Sequence, residues 1–188
     1  MLASPNTKRV VSKLYSDLYS TPKQALDALH GVVSFDKSKT YFEPCNGLGE
    51  ISNYFKNNLS ISMVTNEMYG HSPSNYKEDY LNPNSLVAEC WNFDYIITNP
   101  PFKTAQEFVQ EGFKYAKVQY HLLRLGFLEG KKRKEELFSQ KHLKRVFIFS
   151  YRISCPKGVE MEETANAVAY CWCEFDREYS GQPELHWL

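Results

Sequence analysis

The chain lacks any apolar run of roughly 18 residues, the length that spans a bilayer, so nothing in it reads as a membrane helix. Its first residues, MLASPNTKRVV, lack the apolar core of a secretory signal. The five cysteines (Cys45, Cys90, Cys155, Cys171, Cys173) are odd in number and scattered, with no CxxC and no Cys/His spacing. That argues against a disulfide framework and against zinc, so no metal is expected. Without an export signal the thiols read as reduced, in a cytoplasm. Net charge is also lacking: 22 basic residues balance 22 acidic ones. A strong non-specific polyanion binder would not look like this. No internal repeat or low-complexity stretch is present.

What is present suffices for a packed core. Of 188 residues, 43% are hydrophobic and 15% aromatic, which is the material for one domain. The charge is segregated although it sums to zero. Residues 103–158 carry a local +8, residues 159–188 a local −6, and the first 102 residues a local −2. Such asymmetry is a sign of a directed polyanion surface or of a solvated helix face.

Residues 1–18 read as a tail with a helix over Val10–Leu18, where Val10, Val11, Leu14 and Leu18 share one face. Thr21-Pro22 predicts an N-cap and a proline at the first position of a helix Pro22–His30, stopped by Gly31. Thr40–Phe42, Ile61–Val64, Lys77–Leu81, Tyr95–Thr98, Tyr120–Leu125, Val146–Ser150 and Val168–Phe175 read as strands. Helices are expected over Ile51–Asn58, Thr104–Ala116 and Lys131–Ser139. Strands alternating with helices predict an α/β fold with a mainly parallel sheet. The last two strands have no helix between them and should pair as an antiparallel hairpin. Residues 19–188 then form a single domain.

In an open parallel sheet, ligands bind beyond the carboxyl ends of the strands, so the residues just after each strand carry the most information. The first strand runs into Glu43-Pro44-Cys45-Asn46-Gly47-Leu48-Gly49, a glycine turn before a helix N-terminus. It is not GxGxxG, and it lacks the Lys-Ser/Thr of a phosphate loop. The second strand leads to Glu67, an acid placed where nucleotide folds bind ribose hydroxyls. The third carries Asp79 and Tyr80. The fourth, FDYIITNPPF, stops on two prolines. There Asn99 Oδ1 and the Pro100 carbonyl can both accept from one planar NH2 group. Phe102 can stack on the ring that carries it. The same residues, taken alone, also fit a plain turn.

Taken in order, these stretches resemble the S-adenosylmethionine-dependent amino-methyltransferases, and within them the DNA adenine-N6 methyltransferases. YFEPCNGLGEIS is similar to that family's motif I, FDYIITNPPF to its catalytic motif IV, and Ser20-Thr21-Pro22 to the Thr-Pro that precedes motif I in some members. The stretches HLLRLGFLEGKKR, KRVFIFSYRIS and AVAYCWCEFDREYSGQPELHWL resemble the tail of small phage-type enzymes. The resemblance covers roughly residues 19–188 and implies a Rossmann-like class I methyltransferase with a seven-stranded sheet. It implies that Thr21, Pro22, Glu43, Pro44, Cys45, Asn46 and Gly47 hold the methionine half of S-adenosylmethionine. Glu67 would bind the ribose, Met68 would cover the adenine face, and Asp79 with Tyr80 would take the adenine amine. Asn99, Pro100, Pro101 and Phe102 would hold a target base flipped out of duplex DNA, with Asn99 also near the cofactor. Cys45 and Asn46 stand where smaller residues are commoner. A bacterial or phage-infected host cytoplasm is the implied setting.

Lys131, Lys132, Arg133 and Lys134, with Lys141, Lys144 and Arg145, could neutralise phosphates, and the loop 151–166, near the same sheet edge, could approach nucleic acid with Arg152 and Lys157. Glu135 and Glu136 come immediately after Lys134, as on a plain soluble helix. No separate target-recognition domain is visible, so specificity would be low, loop-borne or supplied by a second subunit or a homodimer. The alternatives are a guanine-N2 methyltransferase of ribosomal RNA, since NPPF also occurs there, and a catalytically silent partner subunit of the same fold.

Overall fold

Side chains alternate across the strands, and that alternation builds a sheet packed on both faces. The computed structural model describes residues 17–85, 92–158 and 168–188. In chain order the elements are α1 (Lys23–Val32), β1 (Tyr41–Glu43), α2 (Glu50–Tyr54), β2 (Val64–Thr65), β3 (Phe93–Thr98), α3 (Ala105–Tyr115), β4 (Ala116–Arg124), α4 (Lys131–Glu136), β5 (Leu143–Ile148), β6 (Tyr170–Asp176) and β7 (Glu184–Trp187). A π-helical turn, Phe55–Leu59, extends α2, and 3₁₀ turns flank α4.

The strands form one seven-stranded sheet in the order β2-β1-β3-β4-β6-β5-β7. β2, β1, β3 and β4 pair in parallel, as do β5 and β7. Only β6 runs against its neighbours. The expected mainly parallel α/β sheet and the antiparallel β5/β6 pair are therefore both present.

Tyr41, Ile97, Leu122, Phe147 and Trp172 point to one face, where α1 packs through Ala25, Leu26 and Leu29. Leu123, Val146, Cys171, Cys173 and Phe175 point to the other, with Val109 of α3. Phe42, Phe93 and Ile96 form a third cluster with Phe108, on the far side of β1 and β3. The indole of Trp172 donates to the Ala25 carbonyl (2.9 Å), which pins α1 to the sheet.

Several expectations need correction. The third strand, Lys77–Leu81, does not form. Two asparagines take its ladder partners. Asn66 Oδ1 accepts from Glu78 N and its Nδ2 donates to Glu78 O, both at 3.0 Å. Asn75 Oδ1 accepts from Thr65 N at 2.9 Å. A side-chain amide replaces one backbone pair but cannot propagate a ladder, so only an isolated Asn66–Tyr76 bridge remains. The seventh strand is instead β7, a C-terminal edge strand the pattern did not suggest. Helix α1 begins at Lys23, with Pro22 as its N-cap and no side-chain cap, and it runs through Gly31. Ala116 starts β4 rather than ending α3. Most of the helix expected over 10–18 lies outside the described residues; Asp17 and Leu18 are not helical.

Polar residues also enter the face under α3. His121, fully buried, shares a hydrogen bond with Gln119 (Nε2 to Oε1, 2.8 Å), and Gln119 donates to the Val109 carbonyl at 3.2 Å. Gln119 presses on Gly112: a Cβ there would meet its Oε1 at 2.1 Å. Burial holds the His121 imidazole neutral and pushes its pKa down to about 3. Because the folded value is depressed, the contribution is complete above the unfolded value of about 6.5 and is lost as pH falls. Between pH 7 and about 5 the protein should lose about 2 kcal/mol from this group. Urea unfolding of a His121→Gln variant should lack that loss, and an unchanged pH slope would show that His121 is not its source.

Candidate active site

The chain leaves β1 for β2 on one side and returns to β3 on the other, so a crevice opens where the order reverses. A cavity of about 400 Å³ occupies it, within the usual range for small-molecule sites. Of the residues expected from sequence, Thr21, Glu43, Pro44, Cys45, Asn46, Gly47, Glu67, Met68, Asp79, Tyr80, Asn99 and Pro101 line it. Pro22, Pro100 and Phe102 are not on its wall. Asp17, Tyr19, Asn66, Tyr69, His71 and Lys103 line it without having been expected.

The turn after β1 is built to approach a ligand. Gly47 and Gly49 adopt left-handed backbone (φ +53° and +88°), which side-chain-bearing residues disfavour. Gly47 N donates to Glu67 Oε2 at 2.8 Å, while Glu67 Oε1 accepts from Tyr69 N at 3.0 Å. Glu67 thus ties the turns after β1 and β2 together, and each carboxylate oxygen retains a further lone pair. The Asn46 amide is committed: Nδ2 donates to Ser72 Oγ (2.8 Å) and Oδ1 accepts from Ser52 (2.7 Å). Asn66 Nδ2 also donates to the Pro44 carbonyl at 2.9 Å, so this one side chain joins the glycine turn to the segment carrying Asp79 and Tyr80. Its place directly after β2 was the available signal. Asp79 is exposed, and its carboxylate accepts from Leu81 N.

A chain of short polar contacts links β1 to β3. Thr98 Oγ1 donates to Glu43 Oε1, and the Cys45 thiol lies 3.0 Å from Thr98 Oγ1 and 3.4 Å from the Asn99 carbonyl. Burial pushes the Glu43 carboxyl well above its ordinary range, against the opposing Thr98 hydrogen bond. Burial, with Glu43 beside it, does the same to the Cys45 thiol, so it is not a reactive thiolate. Three buried polar atoms on the cavity wall lack any partner among the described residues: Glu43 Oε2, Tyr80 Oη and Asn99 Oδ1. Buried polar atoms are normally paired, so three unpaired ones on residues of one cavity wall set this wall apart.

Asn99 is oriented from behind. Its Nδ2 donates to the Tyr19 carbonyl (3.0 Å) and to Thr21 Oγ1 (3.2 Å), which leaves Oδ1 as the free end. Phe102 is engaged elsewhere. Its ring packs on Tyr19 (4.7 Å between centroids) and Tyr170 (5.8 Å), with the Arg124 guanidinium 4.4 Å above it. The expected stacking face is therefore already occupied on one side by a cation.

The expected phosphate contacts are redistributed. Arg133 donates to the carbonyls of Gly126, Phe127 and Glu129 and lies over the Phe127 ring, so it braces the loop before α4. Lys131 and Lys132 face Glu135 and Glu136 one turn on. Lys144 pairs with Asp176 (3.0 Å) and Arg145 with Glu174. Lys134 and Lys141 are exposed and outside any ion pair among the described residues. Arg152 is exposed on the 149–158 loop, whose residue Lys157 bridges Tyr19 at the cavity wall. Lys103 stands on the wall itself. The cations placed at the site by its wall or by contacts with Tyr19 and Phe102 are thus Lys103, Arg124 and Lys157. None of them forms an ion pair among the described residues, and none belongs to α4. No group of three metal-ligating side chains occurs among the described residues, and no described helix is long and apolar enough to cross a membrane.

No protein-family model matches the sequence, and no curated protein matches it. Solved structures match in fold. PH1948 from Pyrococcus horikoshii, provisionally named an RNA methyltransferase, gives a TM-score of 0.53 at 15% identity, over 93% of this chain and 98% of that one. The human methyltransferase 10 domain containing protein gives 0.52 at 11% identity, again over 93% and 98%. The 23S rRNA methyltransferase ErmE gives 0.50 at 10% identity, over 88% and 72%. Identities this low speak to architecture alone: the chain has the Rossmann-like methyltransferase fold.

Proposed function

We propose that this protein transfers a methyl group from S-adenosylmethionine to the exocyclic N6 amine of adenine in DNA. The observation that carries the reading is Asn99 Oδ1, a buried acceptor with no partner among the described residues, on a residue that lines the switch-point cavity. The cavity wall fits the cofactor: Thr21, Glu43, Cys45 and Gly47 would hold its methionine half, Glu67 the ribose, and Met68, Asp79 and Tyr80 the adenine. When bound, the sulfonium supplies an electrophilic methyl group, and S-adenosylhomocysteine is the product.

The chain's own task is positioning. An exocyclic amine on a purine is a poor nucleophile because its lone pair is delocalised into the ring. Accepting an N–H on Asn99 Oδ1 draws the nitrogen toward a pyramidal geometry and frees the lone pair. No general base is needed first, since the proton leaves after the nitrogen has become cationic. The base must leave the stack to reach Asn99. The Pro100 carbonyl, the expected second acceptor, is off the cavity wall, so Asn99 bears more of the recognition than the motif suggested. Lys103, Arg152 and Lys157 replace α4 as the phosphate contacts of this reading. A homodimer or a recognition subunit would supply sequence specificity.

The names of PH1948 and ErmE support RNA as the polymer in a second reading, the guanine N2 amine of ribosomal RNA. A silent scaffold of the same fold has no need for three unpaired buried polar atoms on one cavity wall. Labelled S-adenosylmethionine incubated with duplex DNA, tRNA and rRNA separates these readings, and digestion to nucleosides identifies the methylated base. Label in N6-methyladenine from DNA is the expected result. Label confined to rRNA guanine, or no transfer, would refute it.

A further inference from the structure

The segment before α1 does more than close the cavity. Leu18–Ser20 lies alongside residues 156–158: Ser20 N donates to the Pro156 carbonyl (2.8 Å) and Gly158 N to the Leu18 carbonyl (2.9 Å). Ser20 Oγ is tied to Glu50 at the start of α2. The segment is therefore a strap fixed at both sides, and it meets Asn99 with two oxygens. The Tyr19 carbonyl can only accept, whereas the Thr21 hydroxyl can accept or donate. The two ends of an asparagine amide have almost the same shape, so only the hydrogen-bond partners decide which end faces which way. Here the acceptor-only carbonyl holds Nδ2 and leaves Oδ1 as the end without a partner among the described residues, on a residue of the cavity wall.

We propose that the strap Asp17–Thr21 is a positioning element that fixes the amide orientation of Asn99, and that it thereby restricts position 99 to asparagine. The proposal rests on the reading that Asn99 accepts from the substrate amine, but its physical core does not. An aspartate at 99 would set a carboxylate oxygen against the Tyr19 carbonyl, acceptor against acceptor. Only the protonated acid could reproduce the asparagine pattern, its O–H donating to Tyr19 and its C=O facing the cavity. The titratable groups near position 99 are Glu43 and Cys45 from β1 and its turn, Tyr19 and Asp17 from the strap, and Lys103 after β3. Every variant keeps these, so they cancel in comparisons.

The test uses the whole chain. Asn99→Asp should melt several degrees below wild type at about pH 8, where a free aspartate is ionised. The gap should narrow markedly by about pH 5 and close only below about pH 4, because the cost of a group held protonated by the fold shrinks as pH falls below its raised folded value and vanishes below the unfolded value of about 3.9. Asn99→Ala should show the same gap at both. An Asn99→Asp gap that is absent at pH 8, or equal at both pH values, overturns the proposal. Should the variant fold at neither pH, the side-chain amide protons of Asn99 decide by NMR. They should exchange about tenfold faster in Thr21→Val and recover in Thr21→Ser, about what loss of one hydrogen bond of ~1.4 kcal/mol gives. Equal exchange in both variants overturns the proposal. Transfer assays add an arm that depends on function: Asn99→Asp should gain activity relative to wild type as pH falls. If wild type methylates no polymer, the functional reading fails while the melting and exchange results still decide the strap.

Discussion

Asn99→Ala is expected to abolish methyl transfer while leaving affinity for S-adenosylmethionine within a few-fold. The substitution removes the acceptor on the cavity wall and leaves the Glu43, Glu67 and Asp79 sides of the cavity untouched. Hydrogen bonds that strengthen as charge develops are worth about 10²–10³ in rate when one is lost. Here the same group also draws the nucleophile into shape, so the loss should lie at or above the top of that range. Single-turnover transfer from labelled cofactor gives the rate, and isothermal titration gives the affinity. A variant with near-normal turnover would remove Asn99 from the mechanism. A variant that no longer binds cofactor would make its role structural.

Asn66→Leu should be the most destructive single change outside the catalytic turn. The side chain is 1% exposed and makes three hydrogen bonds, to the Pro44 carbonyl and to both backbone groups of Glu78. Leucine is close in volume, so packing is largely retained while three inward-facing backbone groups lose their partner. Each such loss costs about 1–3 kcal/mol, and the total should come to about 4 kcal/mol because the segment relaxes toward water. The 76–81 segment then detaches from the glycine turn and takes Asp79 and Tyr80 with it. Urea unfolding should report the instability, and titration should show cofactor binding lost beyond detection. Destabilisation below about 1 kcal/mol with normal binding would show that Asn66 does not hold this wall together.

The sheet was legible because its signals are local. Buried strands such as Tyr95–Thr98 read as apolar runs, and prolines mark their ends. Six of the seven expected strands form, within a few residues of where they were placed. Lys77–Leu81 reads as a strand but does not form one, because the Asn66 side chain takes the backbone groups of Glu78 and the Asn75 side chain takes the Thr65 N–H, and no period in the sequence encodes that substitution. β7 was missed because its pattern, Glu-Leu-His-Trp, is that of an exposed edge, with Leu185 and Trp187 largely in solvent. At the cavity, residues that come directly after a strand (Glu43, Glu67, Asn99) could be placed from order alone. Tyr19 could not, and Lys157 could be placed only on a loop near the same sheet edge, because the two meet through a pairing between distant parts of the chain. Arg133 looked like a phosphate ligand on charge alone. Nothing in the charge pattern shows that it spends its donors on three carbonyls.

The strap also sets an order of assembly. Leu18 and Gly158 are joined by a backbone hydrogen bond, so one of the two anchors of the segment that orients Asn99 forms only once chain more than a hundred residues downstream has been made. Contacts this distant in sequence form late in folding. In a nascent or truncated chain ending before residue 156, the strap beside Asn99 would be held on one side alone, by Ser20 and Glu50. Full fixing of the strap, and with it of the Asn99 amide, is thereby tied to near-completion of the polypeptide.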